Sequence, residues 1–358
     1  METNGYCQDS QRVLVTGHAG YIGAVMVPLL KSLGHQVVGA DTGFFEGCDF
    51  GKFAPGVAEL RKDIRDVTEE DLKPFDAVIH LAALCNDPLG DLNPKVTLDI
   101  NYSASVQLAR LARHAGVKRF LYSSSCSMYG AAGDDLVDEE ASLNPLTAYA
   151  VSKVRAEEGI SALASTDFSP IFMRNATAYG SSPRLRADVV INNLACWGFT
   201  TGGVYIMSDG SPWRPLVHVE DICRAFATAL VVPREIVHNQ AFNVGRDGEN
   251  YRVRELADIV RDIIPGCSVV YAPKPSPDAR NYRVDFSKVA RLMPEFEPVW
   301  NARMGVRQLY LDFRRHGLQP ADFQGRRFTR LAQLRFLIEQ GHLEPELRWR
   351  TQHRRCWS

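Results

Sequence analysis

Three closely spaced glycines constrain this chain more than any other feature. An apolar run, Val13-Leu14-Val15, leads into Thr16-Gly17-His18-Ala19-Gly20-Tyr21-Ile22-Gly23, and a helix-like stretch follows from Ala24 to Leu33. Strand, glycine turn and helix together form a cradle for a pyrophosphate. Glycines let the backbone turn tightly and approach the ligand, and the helix N-terminus offers free N–H groups with a partial positive charge. A second strand, Gln36 to Ala40, ends at Asp41, about 20 residues past the glycines, where an acid binds a ribose hydroxyl. A dinucleotide is therefore expected on Gly17, Gly20, Tyr21, Ile22 and Gly23, with Asp41 at its ribose. That carboxylate would repel a 2′-phosphate, which favours NAD over NADP.

The rest of the first half continues the alternation of strand and helix. Val57–Leu60, Phe75–Ala83, Phe120–Tyr122 running into Ser123-Ser124-Ser125, and Ser169–Met173 read as strands; Leu98–Ala115 and Tyr149–Ala164 read as helices. This order predicts an α/β fold, a doubly wound parallel sheet covered on both faces. The second half is less regular. Helices are expected at Ala187–Trp197, Glu220–Val231, Val253–Ile264, Met304–His316 and Phe328–Glu339, and strands at Gly202–Ile206, Gln240–Val244, Ser268–Tyr271 and Arg283–Asp285, with the Pro-rich stretch Ala272–Pro277 between the last two. The organisation that follows is a dinucleotide-binding domain over 1–180, to which 217–245 returns, and a smaller α/β substrate lobe over 181–325. A basic extension over 326–358 has no evident role; from Arg326 to Ser358 it holds eight Arg against three Glu.

Bulk properties exclude several function classes. With 41 Lys and Arg against 42 Asp and Glu the chain is near neutral, which argues against a general nucleic-acid binder. The eight cysteines, at 7, 48, 85, 126, 196, 223, 267 and 356, include no C-x-x-C pair and no Cys/His metal spacing, so no metal is expected and a reducing cytoplasm fits. No apolar run approaches the ~20 residues that cross a bilayer, so no membrane association is expected.

Chemistry points to Tyr149-Ala150-Val151-Ser152-Lys153. Four residues apart on a helix, a phenol and an ammonium share one face. A nearby Lys⁺ favours the phenolate and is expected to lower the Tyr149 pKa from near ~10, making it a usable acid or base. The strand ending Ser123-Ser124-Ser125 brings hydroxyls to the carboxyl edge of the sheet, where ligands sit in open α/β folds.

These motifs resemble the extended short-chain dehydrogenase/reductase family, in its nucleotide-sugar epimerase/dehydratase group. The matching residues are Gly17, Gly20 and Gly23, Asp41, Asp63-Ile64, His80-Leu81-Ala82-Ala83, Asn101, Ser125 with Tyr129-Gly130, and Tyr149 with Lys153. Arg214-Pro215-Leu216-Val217-His218 and Arg280-Asn281-Tyr282 match further on, so the likeness covers roughly 11–315. It implies a Rossmann-type fold, NAD as cofactor, a nucleotide-diphosphate sugar as substrate and a homodimer formed through the helices at Leu98–Ala115 and Tyr149–Ala164. It implies Ser125, Tyr149 and Lys153 as the catalytic trio. Asp63, Ile64, Leu81, Ala82, Ala83 and Asn101 would join the glycine turn around NAD. Asn86, Ser127, Asn175, Thr177, Asn193, Arg214 and Arg280 would face the nucleotide sugar.

Departures sharpen the expectation. Dehydratases of this group carry Asp-Glu directly after the catalytic hydroxyl residue; here Cys126-Ser127 stands there. With no acid to eliminate water, epimerisation at C4 through a keto sugar is expected; a keto-sugar reductase or dehydrogenase is the alternative, ahead of a 4,6-dehydratase or a non-catalytic dinucleotide sensor. Cys126 is expected to be a packing thiol, His80 and His218 to be structural, and Asn86 and Asp87 to lie on a loop facing either substrate or solvent.

Overall fold

The computed structural model describes residues 10–53, 56–273 and 280–350. Cys7, Cys356 and the part of the Pro-rich stretch from 274 onward lie outside the described residues. The centre is a seven-stranded, all-parallel sheet. Its first five strands in the chain are β1 (Arg12–Thr16), β2 (Gln36–Ala40), β3 (Ala58–Leu60), β4 (Ala77–His80) and β5 (Arg119–Ser125). Across the sheet the order is Gln240–Val244, Ser169–Asn175, β5, β4, β1, β2, β3. Chain order reverses at β1, between β2 and β4. In a doubly wound Rossmann-type sheet such a switch point opens a crevice at the strands' carboxyl ends.

Apolar strands flanked by amphipathic helices explain the layering. Val13 and Val15 face one core with Met26, Val27 and Leu30 of helix α1 (Gly23–Ser32). Leu14 and Val78 face the other with Leu108, Ala112 and Ile160. Successive residues of one strand thus serve opposite faces. A third core lies beneath the three-stranded sheet Thr177–Tyr179, Trp213–His218 and Asn250–Arg252, and includes Ile191, Leu216, Leu256 and Val306. Two further strand pairs, Gly203–Ile206 with Ser268–Tyr271 and Ala131–Val137 with Asn281–Val284, flank the crevice.

Some expected elements take a different form. The strand expected over Phe75–Ala83 is regular only over Ala77–His80, because Leu81 onward bends away to pass the glycine turn. The helix expected from Leu98 starts earlier, at Pro94, capped by Asn93, and widens into a π-type turn over Asp99–Ala104 before resuming at Ser105. The basic C-terminal extension does not sit apart. Leu334, Leu337, Leu343 and Leu347 are buried against Phe44, Ile64, Leu84 and Leu89, forming a fourth core. At about 1.5–3 kcal/mol for each fully buried apolar side chain, this packing holds the segment down firmly. No helix among the described residues is long and apolar enough to cross a membrane.

Two buried imidazoles couple this fold to pH. His80 is enclosed between Thr16 Oγ1 (2.6 Å) and Ser105 Oγ (2.8 Å), and burial pushes its pKa down to about 3. His218 caps the helix Val219–Val231, stacks on Trp300 at 4.0 Å and is pushed down to about 4, again by burial. Unfolded imidazoles take up protons near pH 6.5 while the folded ones do not. Stability is therefore fully present above that pH and falls as pH drops through 6.5 toward 3. Melting temperatures measured from pH 7.5 to 4.5 should fall steeply, and His80→Gln should flatten the slope whatever it does to the neutral-pH value. An unchanged slope in that variant would overturn this assignment.

Candidate active site

A cleft of about 630 Å³, open at its mouth, runs along the carboxyl edge of the sheet. Its lining includes Asp41, Asp63 and Ile64, Ser125 and Tyr149, and Tyr205, Arg214 and Arg280. Gly17, Gly20, Tyr21, Ile22, Gly23, Leu81, Ala82 and Ala83 form its floor.

The glycine turn is built so that no side chain could replace it. Gly17 has φ +72°, and a Cβ there would lie 2.8 Å from the Ala82 nitrogen; a Cβ on Gly23 would lie 2.3 Å from the Gly17 oxygen. Helix α1 starts on this turn with no side chain capping it; the Ala24 and Val25 N–H groups are taken by the Gly20 and Ile22 carbonyls, which leaves the turn residues Tyr21, Ile22 and Gly23 to meet a ligand with their backbone. Asp41 accepts from the backbone of Ala19 at 3.2 Å and Gly43 at 2.8 Å, which fixes its carboxylate at the end of β2. These features fit a dinucleotide's phosphates and ribose.

The central trio is brought together by two elements. Ser125 ends β5, and its Oγ accepts from the Ser127 N–H at 3.2 Å and stands beside the Tyr149 phenol, whose pKa it acts to lower. Tyr149 and Lys153 come from the helix Ala148–Ser161, capped by Thr147, whose hydroxyl in turn donates to Asp87 at 2.6 Å. Lys153 is buried and donates to the Ser123 carbonyl at 2.6 Å, with its Nζ 5.8 Å from the Tyr149 ring centre. The expected acidification of Tyr149 by Lys153 is not what these walls produce. Burial raises the Tyr149 pKa, the Cys85 thiol adds to that, and Ser125 opposes it only in part. Burial also brings Lys153 down to about 8. Spacing alone showed the ammonium but not the cost of enclosing both groups.

Among the other anticipated residues, Ser127, Asn175, Thr177, Asn193, Arg214 and Arg280 line the cleft. The Ser127 hydroxyl and the Asn175 carbonyl oxygen have no protein partner, although both are buried. Arg280 pairs with Asp87 at 2.7 Å, and Arg214 donates to the Arg280 carbonyl at 2.6 Å. Asn86 lines the cleft with both amide atoms engaged, by Leu89 and Asp188. Asp63 lines it too, but its carboxylate is bound by Arg65 at 2.7 Å. Asn101 stands apart from the lining: fully buried, it grips both backbone groups of Leu84 and donates to Ser152. It braces the wall and the helix Ala148–Ser161, with its side-chain amide engaged by Leu84 and Ser152. Cys126 is buried with its thiol on the Arg174 carbonyl at 3.1 Å, a packing thiol as its strand position implied.

The sequence reading missed Arg186, Asp188, Cys85 and Arg330, all in the lining. Arg186 holds Asp188 at 2.8 Å and points Nη1 at the Cys85 sulfur, 3.0 Å away. Arginines in irregular loops or at the start of a surface-patterned helix carry no periodic signal that marks them as buried.

Residues 13–245 match the model of the NAD dependent epimerase/dehydratase family. The chain is 33% identical over 258 residues to a UDP-glucose 4-epimerase of Mycolicibacterium smegmatis, spanning 68% of this chain and 80% of that one. It is 27% identical over 324 residues to UDP-glucuronic acid decarboxylase 1 of Arabidopsis thaliana, spanning 88% and 72%. Among solved structures it is similar to MoeE5 in complex with UDP-glucuronic acid and NAD, with TM-score 0.73, 28% identity, and coverage of 85% of this chain and 99% of that one.

Proposed function

This chain belongs to the NAD-dependent epimerase/dehydratase family, and we propose that its own activity is to epimerise a nucleotide sugar at C4. The observation that carries this reading is the set of acids at the site. The carboxylates lining the cleft among the described residues are Asp41, Asp63, Asp87 and Asp188. Asp41 is fixed by backbone N–H groups, and the other three are paired with Arg65, Arg280 and Arg186. Beside Ser125 stand Cys126, buried, and Ser127, a hydroxyl facing the cleft. No acid among these is poised to protonate a leaving hydroxyl, which argues against loss of water, so oxidation of a sugar without a carboxylate leads back by reduction.

NAD fits the glycine cradle, Asp41 and the Leu81–Ala83 wall, and when bound it accepts and returns the hydrogen of the reacting carbon. Tyr149 takes the proton of the C4 hydroxyl and gives it back. Ser125 shares that oxygen and keeps the phenol aimed at it. Lys153 supplies the positive charge that a phenolate needs in this enclosed place. Arg214 and Arg280, both in the cleft lining, take the diphosphate of the sugar nucleotide in this reading, a task suited to guanidinium forks. Asn175 and Ser127, each with an unpartnered oxygen, are placed for sugar hydroxyls.

Purified protein given UDP-glucose, UDP-galactose and their uronic-acid counterparts should interconvert a C4 pair without added cofactor, since net redox change is zero. Chromatography of the products decides the matter. Release of carbon dioxide, loss of water or continuous NADH consumption would replace this activity by a decarboxylase, a dehydratase or a reductase.

A further inference from the structure

Arg330 begins the helix Arg330–Glu339, far beyond the residues matched by the family model. It is 2% exposed and lines the cleft, yet its Nη1 has no partner. Nη2 donates to the Arg184 carbonyl at 2.9 Å, and the guanidinium lies 4.3 Å from the Phe45 ring centre, so the side chain is fixed and not searching for a place. Arg186, also buried, leaves its Nη2 unpartnered. The nearby carboxylate, Asp188, is already held by Arg186. Two cations thus face one anion in an enclosed wall, a costly arrangement that an anionic ligand would relieve.

Position identifies which anion. Phe45 follows Asp41 in the loop after β2, and Gln333, one turn beyond Arg330, donates to the Phe44 carbonyl at 3.1 Å. Trp349 of the same segment donates to the Thr42 carbonyl at 2.7 Å. Cys85, which Arg186 touches, comes just after the β4 wall that backs Gly17. Arg330 therefore stands beside the loop after β2, on the dinucleotide side of the cleft, and Arg186 joins it there from the Cys85 wall. We propose that Arg330, with Arg186, is an anion clamp contributed by the C-terminal segment, holding the diphosphate of the dinucleotide against the glycine turn. One face of the diphosphate meets the N-terminus of α1 and the other meets guanidinium N–H groups, which are strong donors to phosphate. The segment is thereby part of the cofactor site, and it makes release of the cofactor slow. This inference rests on the dinucleotide reading above.

Calorimetric titration of the full-length protein, stripped of nucleotide, tests it with ADP-ribose, adenosine and UDP. In Arg330→Gln the affinity for ADP-ribose should fall at least tenfold, with adenosine and UDP unchanged, and the purified protein should carry less NAD. Arg330→Lys, which keeps the charge and guards against a folding failure, should recover part of the ADP-ribose affinity. An equal loss for adenosine would make Arg330 a shape element only, a loss confined to UDP would move the site to the sugar nucleotide, and no loss at all would remove the clamp; each overturns the proposal. Wild-type protein that fails to bind ADP-ribose would overturn the dinucleotide reading itself, a result separable from the others.

Discussion

Replacing Tyr149 by Phe should leave a folded, cofactor-binding protein whose turnover is at least about a thousandfold lower. The Tyr149 backbone and Cβ pack on Gly90, where a Cβ would come within 3.1 Å of the Tyr149 Cβ, and Phe preserves that contact. What disappears is the hydroxyl that stands beside Ser125 at the carboxyl end of β5. A positioned acid or base is worth about 10²–10⁴ in rate, and the upper part of that range applies because the other ionisable groups beside the reacting oxygen are committed. Lys153 donates to the Ser123 carbonyl, and Asp87 is held by Arg280 and Thr147. Raising the phenol's pKa by burial also means that activity should increase with pH through neutrality. Turnover of the preferred sugar nucleotide, measured beside the NAD content of wild type and variant, decides it. A variant retaining a tenth of wild-type turnover would remove Tyr149 from the proton-transfer role.

The parts of this site legible in the sequence are those fixed by short-range geometry. Gly17 needs positive φ, Tyr149 and Lys153 need one turn of helix, and Ser125 needs the end of an apolar strand; each is a local demand that residue spacing reports. The same holds for the central sheet, whose strands are apolar runs bounded by turns. Less was legible wherever a residue's meaning depends on distant partners. Trp213–His218 is a strand because Thr177–Tyr179 and Asn250–Arg252 pair with it, although its own pattern includes a proline. Arg330 sits in a helix whose charges look like those of a surface, and only the packing of Leu334 and Leu337 against Phe44 and Ile64 turns it inward. Asn101 matched a motif but not a place in the lining, since the π-type turn directs it to Leu84 and Ser152. Burial itself was the least visible quantity, and it reversed the expected sign at Tyr149.

That reversal gives Lys153→Met two opposite effects. Lys153 is 3% exposed, and burial lowers its pKa from 10.5 to about 8. At pH 7 the folded protein thus keeps an enclosed ammonium 4.7 Å from the Tyr122 ring centre and 2.6 Å from the Ser123 carbonyl. In the unfolded chain the same amine holds its proton up to its ordinary pKa, so the unfolded state binds more protons between pH 8 and 10.5. Wild-type stability should consequently rise with pH across that window, by up to about 3 kcal/mol from this group at 1.36 kcal/mol per pKa unit. Methionine, of similar length and without charge, removes that slope and should make the protein more stable than wild type below pH 8. The same substitution removes the cation that stabilises the Tyr149 phenolate, so turnover should fall about a hundredfold or more. Urea melts of both proteins at pH 7, 8.5 and 9.5, read as the difference between them, isolate the contribution of Lys153 from other titrating groups. A difference that does not change with pH would show that the ammonium is not enclosed as described. Equal turnover would show that the charge does not serve Tyr149. Finding both stabilisation and inactivation would identify the buried ammonium as a destabilising group retained for the chemistry of the site.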